Sequence, residues 1–373
     1  MKKNKDIFNQ FNYVEAILLS SKANKFYLGG YYSSRGYVLL LKNEEEPIYF
    51  VDYRSIGSLD ESFNTIILSK DNNPLNQVCE YIESLNISTL GLEGNNLTYN
   101  QYMLIKNNIK NINIEPIDFD LIREIKTDPE IELIKKANNI ANASYKSLLN
   151  LIEVGMSEQE VAMLLVNEMI KQGADKESFD TIVLSGINGA FPHGKPSRKI
   201  IEYGDFVTID FGVKVNGYCS DTTRTFVMGE VLDSRLSRIY EAVYEAHKVV
   251  ANHAKPGVRM GDLDKLSRDV ISEYGYGEYY VHHLGHSIGI EPHERPRLAK
   301  DVKQKLKKNM VLTNEPGVYI AGIGGVRIED SFYITEDGYQ SLNGTSKKLK
   351  IINSRRWNKY KKYTIFIIWN TSE

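Results

Sequence analysis

Apolar positions recur along this chain in short runs separated by polar stretches, and the rhythm of the runs changes near residue 125. Before that point, runs at Val14–Leu19, Tyr37–Leu41, Ile48–Val51, Thr65–Leu68 and Thr89–Leu92 alternate with helix-like stretches near Leu75–Leu85 and Thr98–Lys110. Strand-length runs interleaved with helical patterns predict an α/β unit. Beyond it, Thr127-x-x-Glu130 is a capping box with Pro129 in the first turn, and Ile131, Ile134, Ala137, Ala141, Leu148 and Ile152 fall on one face of a long helix. A second capping box, Ser157-x-x-Glu160, opens a helix that closes at Gly173, and further helices are expected at Leu236–His253 and Asp262–Tyr274. The boundary is placed at Ile122 to Thr127. It divides the chain into an N-terminal α/β domain (1–125), a larger second domain (126–352) and a C-terminal tail (353–373).

The second half also carries strand patterns. Val207, Ile209 and Phe211 alternate with Thr208, Asp210 and Gly212, a period of two. Asn216-Gly217 follows, a hairpin signal that needs φ > 0 at both central residues, and Tyr218 to Met228 reads as the returning strand. If Val215 pairs with Tyr218, Asp210 lies opposite Thr223 and Asp221 becomes its diagonal neighbour, at about 7–8 Å between Cα atoms. A bulge would change this register. Taken alone, such a hairpin is a surface element with two solvated aspartates. Further on, Val311, Thr313 and Glu315 alternate before Pro316-Gly317. Gly322 to Gly325 reads as a flexible turn, and Val326 to Thr335 is again extended and carries Glu329.

Asp210, Asp221, His286, Glu315 and Glu329 together make four carboxylates and one imidazole, a donor set suited to a pair of divalent cations sharing one hydroxide. A lone histidine is usually a satisfied surface or core residue. Here His282, His283, His286 and His293 fall within twelve residues, with Gly285 and Gly289 allowing close backbone approach.

The ordered motifs PHG, IDFG, SDTTRTF, GHSIG, PHE, TNEPGVY and GGVRIED resemble those of the proline-specific pita-bread metallopeptidases, aminopeptidase P and prolidase. The likeness extends to about residue 350, more weakly through KFYLGGYYSSRGYVLL, FVDYRS and GLEGNNLTY. It implies an α+β fold: a pita-bread catalytic domain, a curved antiparallel sheet backed by helices, preceded by a smaller α/β domain. It also implies that Asp210 chelates one metal, that Asp221 and Glu329 bridge two, and that His286 and Glu315 complete the second site. Glu315 matches the general base, His193 and His293 the histidines that hold the substrate carbonyl and tetrahedral intermediate, and His282 a further active-site histidine. Tyr319 and Arg327 match residues that orient the ligand carboxylates. Mn²⁺ is the expected metal, with Co²⁺, Fe²⁺ or Zn²⁺ as alternatives, and a homodimer is implied.

Ser287 and Pro292 depart from the family pattern. Both are expected to border the substrate pocket and are read as neutral changes. The activity implied is removal of an N-terminal residue from peptides with proline second, through a metal-bridging hydroxide. An Xaa-Pro dipeptidase shares every residue named. A methionine aminopeptidase fits less well, since TNEPGVY is the proline-peptidase form and the N-terminal domain is superfluous there. A catalytically inactive binding module and a creatinase-like amidinohydrolase are disfavoured by the full ligand set.

Composition agrees. The chain has 373 residues, 42% hydrophobic, enough for two domains, and a net charge of −2 with no basic patch that points to nucleic acid. Cys79 and Cys219 are too few for a disulfide framework, and Cys219 is assigned to packing although alternation places it on the face of Asp221. MKKNKDIFNQF lacks the apolar segment of a signal peptide, and no run approaches the roughly 18 apolar residues of a membrane span, so the expected compartment is cytoplasmic. In the tail, Arg355 to Lys362 is basic and aromatic and Ile365 to Trp369 apolar. It is read as an unstructured addition, with packing on the catalytic domain or on a partner subunit as the other possibilities.

Overall fold

The computed structural model describes residues 3–58 and 62–353. The expected C-terminal addition lies outside the described residues from 354 onward. Contacts divide the chain into two units, Met1–Arg123 and Glu124–Glu373.

In the first unit, six strands form one mixed sheet: β1 (Ala16–Leu19), β2 (Tyr37–Leu41), β3 (Ile48–Asp52), β4 (Thr65–Leu68), β5 (Thr89–Glu93) and β6 (Asn113–Ile117), in the order β4-β3-β2-β1-β5-β6. Four helices accompany it, α1 (Asn4–Gln10), α2 (Lys22–Gly29), α3 (Pro74–Glu83) and α4 (Tyr99–Asn108). Leu75, Val78, Cys79 and Ile82 of α3 and Ile105 of α4 bury against Leu18, Leu39, Phe50 and Leu90 of the sheet. Each such side chain contributes about 1.5–3 kcal/mol of hydrophobic stabilisation. The expected strands and the two expected helices are present. The sequence reading omitted α1, α2 and β6. Strand β6 contains Pro116, which an edge strand tolerates because it lacks only one ladder donor.

The second unit begins with α5 (Asp128–Leu148) and α6 (Glu158–Lys171), each opened by its capping box, and continues to α7 (Ser234–His253) and α8 (Met260–Glu273). Its strands are β7 (Lys176–Glu177), β8 (Ile182–Ser185), β9 (Phe206–Phe211), β10 (Val213–Val215), β11 (Tyr218–Cys219), β12 (Thr222–Met228) and β13 (Gly285–Ser287). There follow β14 (Glu294–Leu298), β15 (Val311–Asn314), β16 (Gly317–Ile320), β17 (Gly324–Arg327), β18 (Asp330–Ile334), β19 (Tyr339–Ser341) and β20 (Ile351–Ile352). The two largest sheets of this unit run β20-β12-β9-β8 and β14-β13-β15-β18-β19, antiparallel except where β20 joins β12. Helices α5 and α6 pack on the first through Ala137, Ala141, Val161 and Leu165 against Val207, Ile209, Phe211 and Phe226.

The hairpin register is the one the Asn-Gly turn predicts. Asn216 and Gly217 have φ of 49° and 83°, Val215 pairs with Tyr218, and Asp210 lies opposite Thr223. The ladder is interrupted at Gly212 and at Ser220–Asp221 without shifting the register, and a Cβ on Gly212 would lie 2.0 Å from the Ser220 carbonyl oxygen. The expected turn at Gly322 to Gly325 needs correction, because Gly324 and Gly325 belong to β17. Gly325 is glycine for close approach: a Cβ there would sit 2.1 Å from the Gly189 carbonyl oxygen.

Candidate metal centre

Four of the five ligand candidates lie at strand ends or in the gaps between strands. Asp210 is near the end of β9, Asp221 falls in the gap between β11 and β12, and His286 is central in β13. Glu315 follows β15, and Glu329 sits between β17 and β18. Backbone hydrogen bonds between segments distant in sequence fix two of these positions: the Glu329 N–H donates to the Thr223 carbonyl at 3.0 Å and the Glu315 N–H to the Leu284 carbonyl at 2.9 Å. Gly285 admits β15 alongside β13, since a Cβ there would meet the Thr313 carbonyl oxygen at 2.1 Å.

One ligand atom each from Asp221, His286 and Glu329 lies within 4.8 Å of the others. Nε2 of His286 is 3.3 Å from Glu315 Oε1 and 3.7 Å from Asp221 Oδ2. Its Nδ1 faces the Ser287 carbonyl oxygen at 3.1 Å, a bond that places the ring hydrogen on Nδ1 and leaves the Nε2 lone pair toward the carboxylates. Burial, then the neighbouring His293, pushes His286 down to about 3, so the ring is neutral as a ligand must be.

The carboxylates crowd one another. Burial, then Glu329, Asp210 and Glu315, raise Asp221 well above the usual carboxylate range. Burial, then Glu315 and Asp210, do the same to Glu329. Glu315 is pushed up to about 8, chiefly by burial, with Arg327 opposing and Asp210 adding to the shift. Arg327 is the cation that faces them, donating from Nη2 to Asp210 Oδ2 at 2.7 Å. Asp210 Oδ1 and Glu329 Oε1 are buried and have no hydrogen-bond partner. Buried oxygens without donors, in carboxylates held close together, fit oxygen-preferring divalent cations.

The other predicted residues surround this cluster. Arg327 Nη1 donates to Tyr319 Oη at 2.8 Å, and Tyr319 Oη lies 2.9 Å from His282 Nε2. Because His282 Nδ1 faces the His283 carbonyl oxygen at 2.8 Å, the chain runs Arg327 to Tyr319 to His282, each donating to the next. Burial, then Arg327, lowers His282 to about 3. The His293 ring packs against His286 with centroids 4.2 Å apart and the planes tilted by 41°. His193 is exposed, on the segment after the turn Gly186–Ala190, within electrostatic reach of His282 and His293.

Two threonines were missed. Thr223 Oγ1 donates to Glu329 Oε2 at 2.7 Å and accepts from Arg327 Nε at 3.1 Å. Thr313 Oγ1 donates to Glu315 Oε1 at 3.1 Å and accepts from the His286 N–H at 3.0 Å. Their positions, opposite Asp210 and two before Glu315, were the available signal. Ser287 does not border a pocket: it is fully buried, donating to the Val311 carbonyl and accepting from Lys126 Nζ at 2.9 Å, while Lys126 pairs with Glu294 at 3.1 Å. Cys219 is buried as expected for packing, with Sγ 3.4 Å from the Ile290 carbonyl oxygen. Among the described residues no helix is long and apolar enough to cross a membrane.

Buried carboxylates and a neutral imidazole brought together from separate strands, with histidine and tyrosine side chains beside them, are the makings of a metal-dependent hydrolase. "Metallopeptidase family M24" matches residues 132–336 and "Creatinase/Prolidase N-terminal domain" residues 9–125. The chain is similar to an Xaa-Pro dipeptidase of Pyrococcus furiosus, 38% identical over 345 residues, 92% of this chain and 97% of that protein. Among solved structures it resembles an Xaa-Pro dipeptidase from Bacillus anthracis (38% identity, TM-score 0.88, 93% of this chain and 98% of that one). It also resembles an X-Pro aminopeptidase from Thermotoga maritima (32% identity, TM-score 0.84, 92% and 99%). The chain therefore belongs to metallopeptidase family M24. It is a metallopeptidase with the two-domain pita-bread fold, a smaller α/β domain preceding the catalytic one.

Proposed function

We propose that this metallopeptidase hydrolyses the peptide bond preceding a proline, with two divalent cations, Mn²⁺ foremost, held by Asp210, Asp221, His286, Glu315 and Glu329. The observation that carries the reading is the set of crowded, buried carboxylates around a neutral His286, two of whose oxygens lack any donor. Bound there, the cations supply Lewis acidity and a coordinated water of lowered pKa.

The chain's own residues supply the rest. A Glu315 carboxylate oxygen accepts the proton of the attacking water and passes it on as the bond breaks. That second transfer matters for proline, whose nitrogen has no hydrogen in a peptide bond and must be protonated to leave. His193 and His293 donate to the substrate carbonyl as negative charge develops on it. His282 is held by the Tyr319–Arg327 chain, and Arg327 also fixes Asp210, so one guanidinium orients both a ligand and a substrate-side imidazole.

Proline as the second residue is supported by the names of the relatives, which include both dipeptidases and aminopeptidases. The sequence motifs led to the aminopeptidase; the dipeptidase names at 38% identity favour the second reading, an enzyme confined to Xaa-Pro. Mn²⁺-loaded protein incubated with Ala-Pro, Ala-Ala and a longer Ala-Pro peptide tests both points. Ala-Pro bonds are cut much faster than Ala-Ala; equal rates would contradict the proline assignment. Preference for the longer peptide marks the aminopeptidase, and cleavage of the dipeptide alone marks the dipeptidase.

A further inference from the structure

The capping box that opens α6 places Glu158 at the first helical position, and its side chain turns inward and is 0% exposed. A buried carboxylate needs compensation. Glu158 has no ion pair among the described residues. It lies instead at the positive end of a helix and collects hydrogen-bond donors. Its Oε1 accepts from the Ser185 N–H at 2.7 Å, Ser185 Oγ at 3.0 Å and Asn188 Nδ2 at 3.1 Å. Its Oε2 accepts from Asn188 Nδ2 at 3.2 Å, the Ser197 N–H at 3.0 Å and Ser197 Oγ at 2.6 Å.

These partners stand at the two ends of one segment. Ser185 ends β8, Asn188 lies in the following turn, and Ser197 closes the stretch that contains His193. The backbone of α6 adds to the closure: the Glu158 and Gln159 N–H groups donate to the Lys199 and Ser197 carbonyls, both at 3.1 Å. The middle of the segment rests on β17. A Cβ on Gly189 would be 3.0 Å from the Gly325 nitrogen, and Arg327 Nη1 donates to the Pro192 carbonyl at 3.4 Å. His193 follows directly. Its backbone is thus fixed from one side by the strand that carries Arg327 and from the base by a single carboxylate.

We propose that Glu158 is a positioning residue for His193: it draws residues 185 and 197 to one point and so sets where the imidazole stands. This rests on the reading of His193 as a substrate-binding group. Glu158→Gln breaks the arrangement with little change in volume, because an amide NH₂ then faces the donors of Ser185 or Ser197.

A double-mutant cycle on the metal-loaded enzyme tests it, with kcat, KM, metal content and melting temperature read for each variant. Misplacement of a group by about 1 Å can cost up to about 10²-fold. Glu158→Gln is therefore expected to lower kcat roughly ten- to a hundredfold, with KM and metal content little changed. In a His193→Ala background the same substitution is expected to lower kcat no further. Ser197→Ala, which removes one donor pair member, should show a smaller loss with the same dependence on His193, and it carries the cycle if Glu158→Gln does not fold. Equal losses in both backgrounds, or an undiminished kcat in Glu158→Gln, would overturn the positioning role while leaving His193 in place. A His193→Ala enzyme with undiminished kcat would instead overturn the reading of His193 itself and this inference with it.

Discussion

Two buried carboxylates, one in each unit, show opposite uses of the same chemistry. Glu93, at the end of β5, is 3% exposed and surrounded by donors. Oε2 accepts from the N–H and Oγ of Ser20 and the Ser21 N–H, and Oε1 from Asn24 Nδ2 at 2.7 Å. Glu329, 1% exposed in the second unit, receives one hydroxyl from Thr223, leaves Oε1 without a partner, and faces Glu315 and Asp210. The first arrangement satisfies a negative charge with local dipoles and ties β5 to the start of α2. The second concentrates negative charge beyond what its donors can satisfy. A fold keeps such a cluster when something positive is meant to complete it, and that difference separates a structural carboxylate from a ligand.

The sharpest way to break the comparison is at Glu329. Glu329→Gln removes charge from the centre of the cluster and should reduce activity by more than the roughly 10–100-fold typical of losing a residue that only supports a ligand. The fold should persist by circular dichroism, while metal content falls. Near-normal turnover in limiting metal would refute the bridging assignment.

His293→Ala should rank next. In its proposed role His293 donates toward the developing oxyanion, so kcat should fall by on the order of 10²–10³ while metal content and melting temperature hold. Full metal with undiminished single-turnover chemistry would show that His293 only packs against His286.

Stability should distinguish the two kinds of carboxylate by sign. Glu93→Gln exchanges an acceptor for a donor against four donors and should destabilise by about 1–3 kcal/mol, without changing kcat of the folded enzyme. Glu315→Gln should do the reverse in metal-free protein. The folded-state pKa of Glu315 is raised from an ordinary 4.5 to about 8, so the folded state holds a proton that the unfolded chain has released. That contribution to stability is fully present below the unfolded value and is lost as pH rises through about 8. Metal-free Glu315→Gln should therefore gain melting temperature over wild type near pH 9 and differ little near pH 5. An equal difference at both pH values would show that Glu315 carries no raised pKa in the metal-free state.

Much of this was legible in the chain because local rules decided it. The Asn216-Gly217 turn fixed the register that puts Asp210 opposite Thr223, and the capping boxes at Thr127 and Ser157 placed α5 and α6. Helix α2 carried signals that were passed over, a Ser21 cap and Gly30 at φ 74°. The positions of Thr223 and Thr313 beside the ligands were legible but their partners were not, because hydroxyls choose partners after the strands are assembled, in the case of Thr223 across 106 residues. Gly325 looked like turn material for a similar reason: the neighbour that forbids a side chain there, Gly189, is far away in sequence. Ser287 was misplaced because one residue of strand alternation separates it from His286, and its partner Lys126 lies before α5.

Titration of metal-free protein with Mn²⁺ by calorimetry, in buffers of different ionisation enthalpy, tests the central claim most directly. If crowding holds protons on these carboxylates, binding must displace them. The account predicts about two equivalents of Mn²⁺ bound with net proton release at neutral pH, both lost or weakened in Glu329→Gln. Binding of no stoichiometric metal, or of metal without proton release, would contradict it.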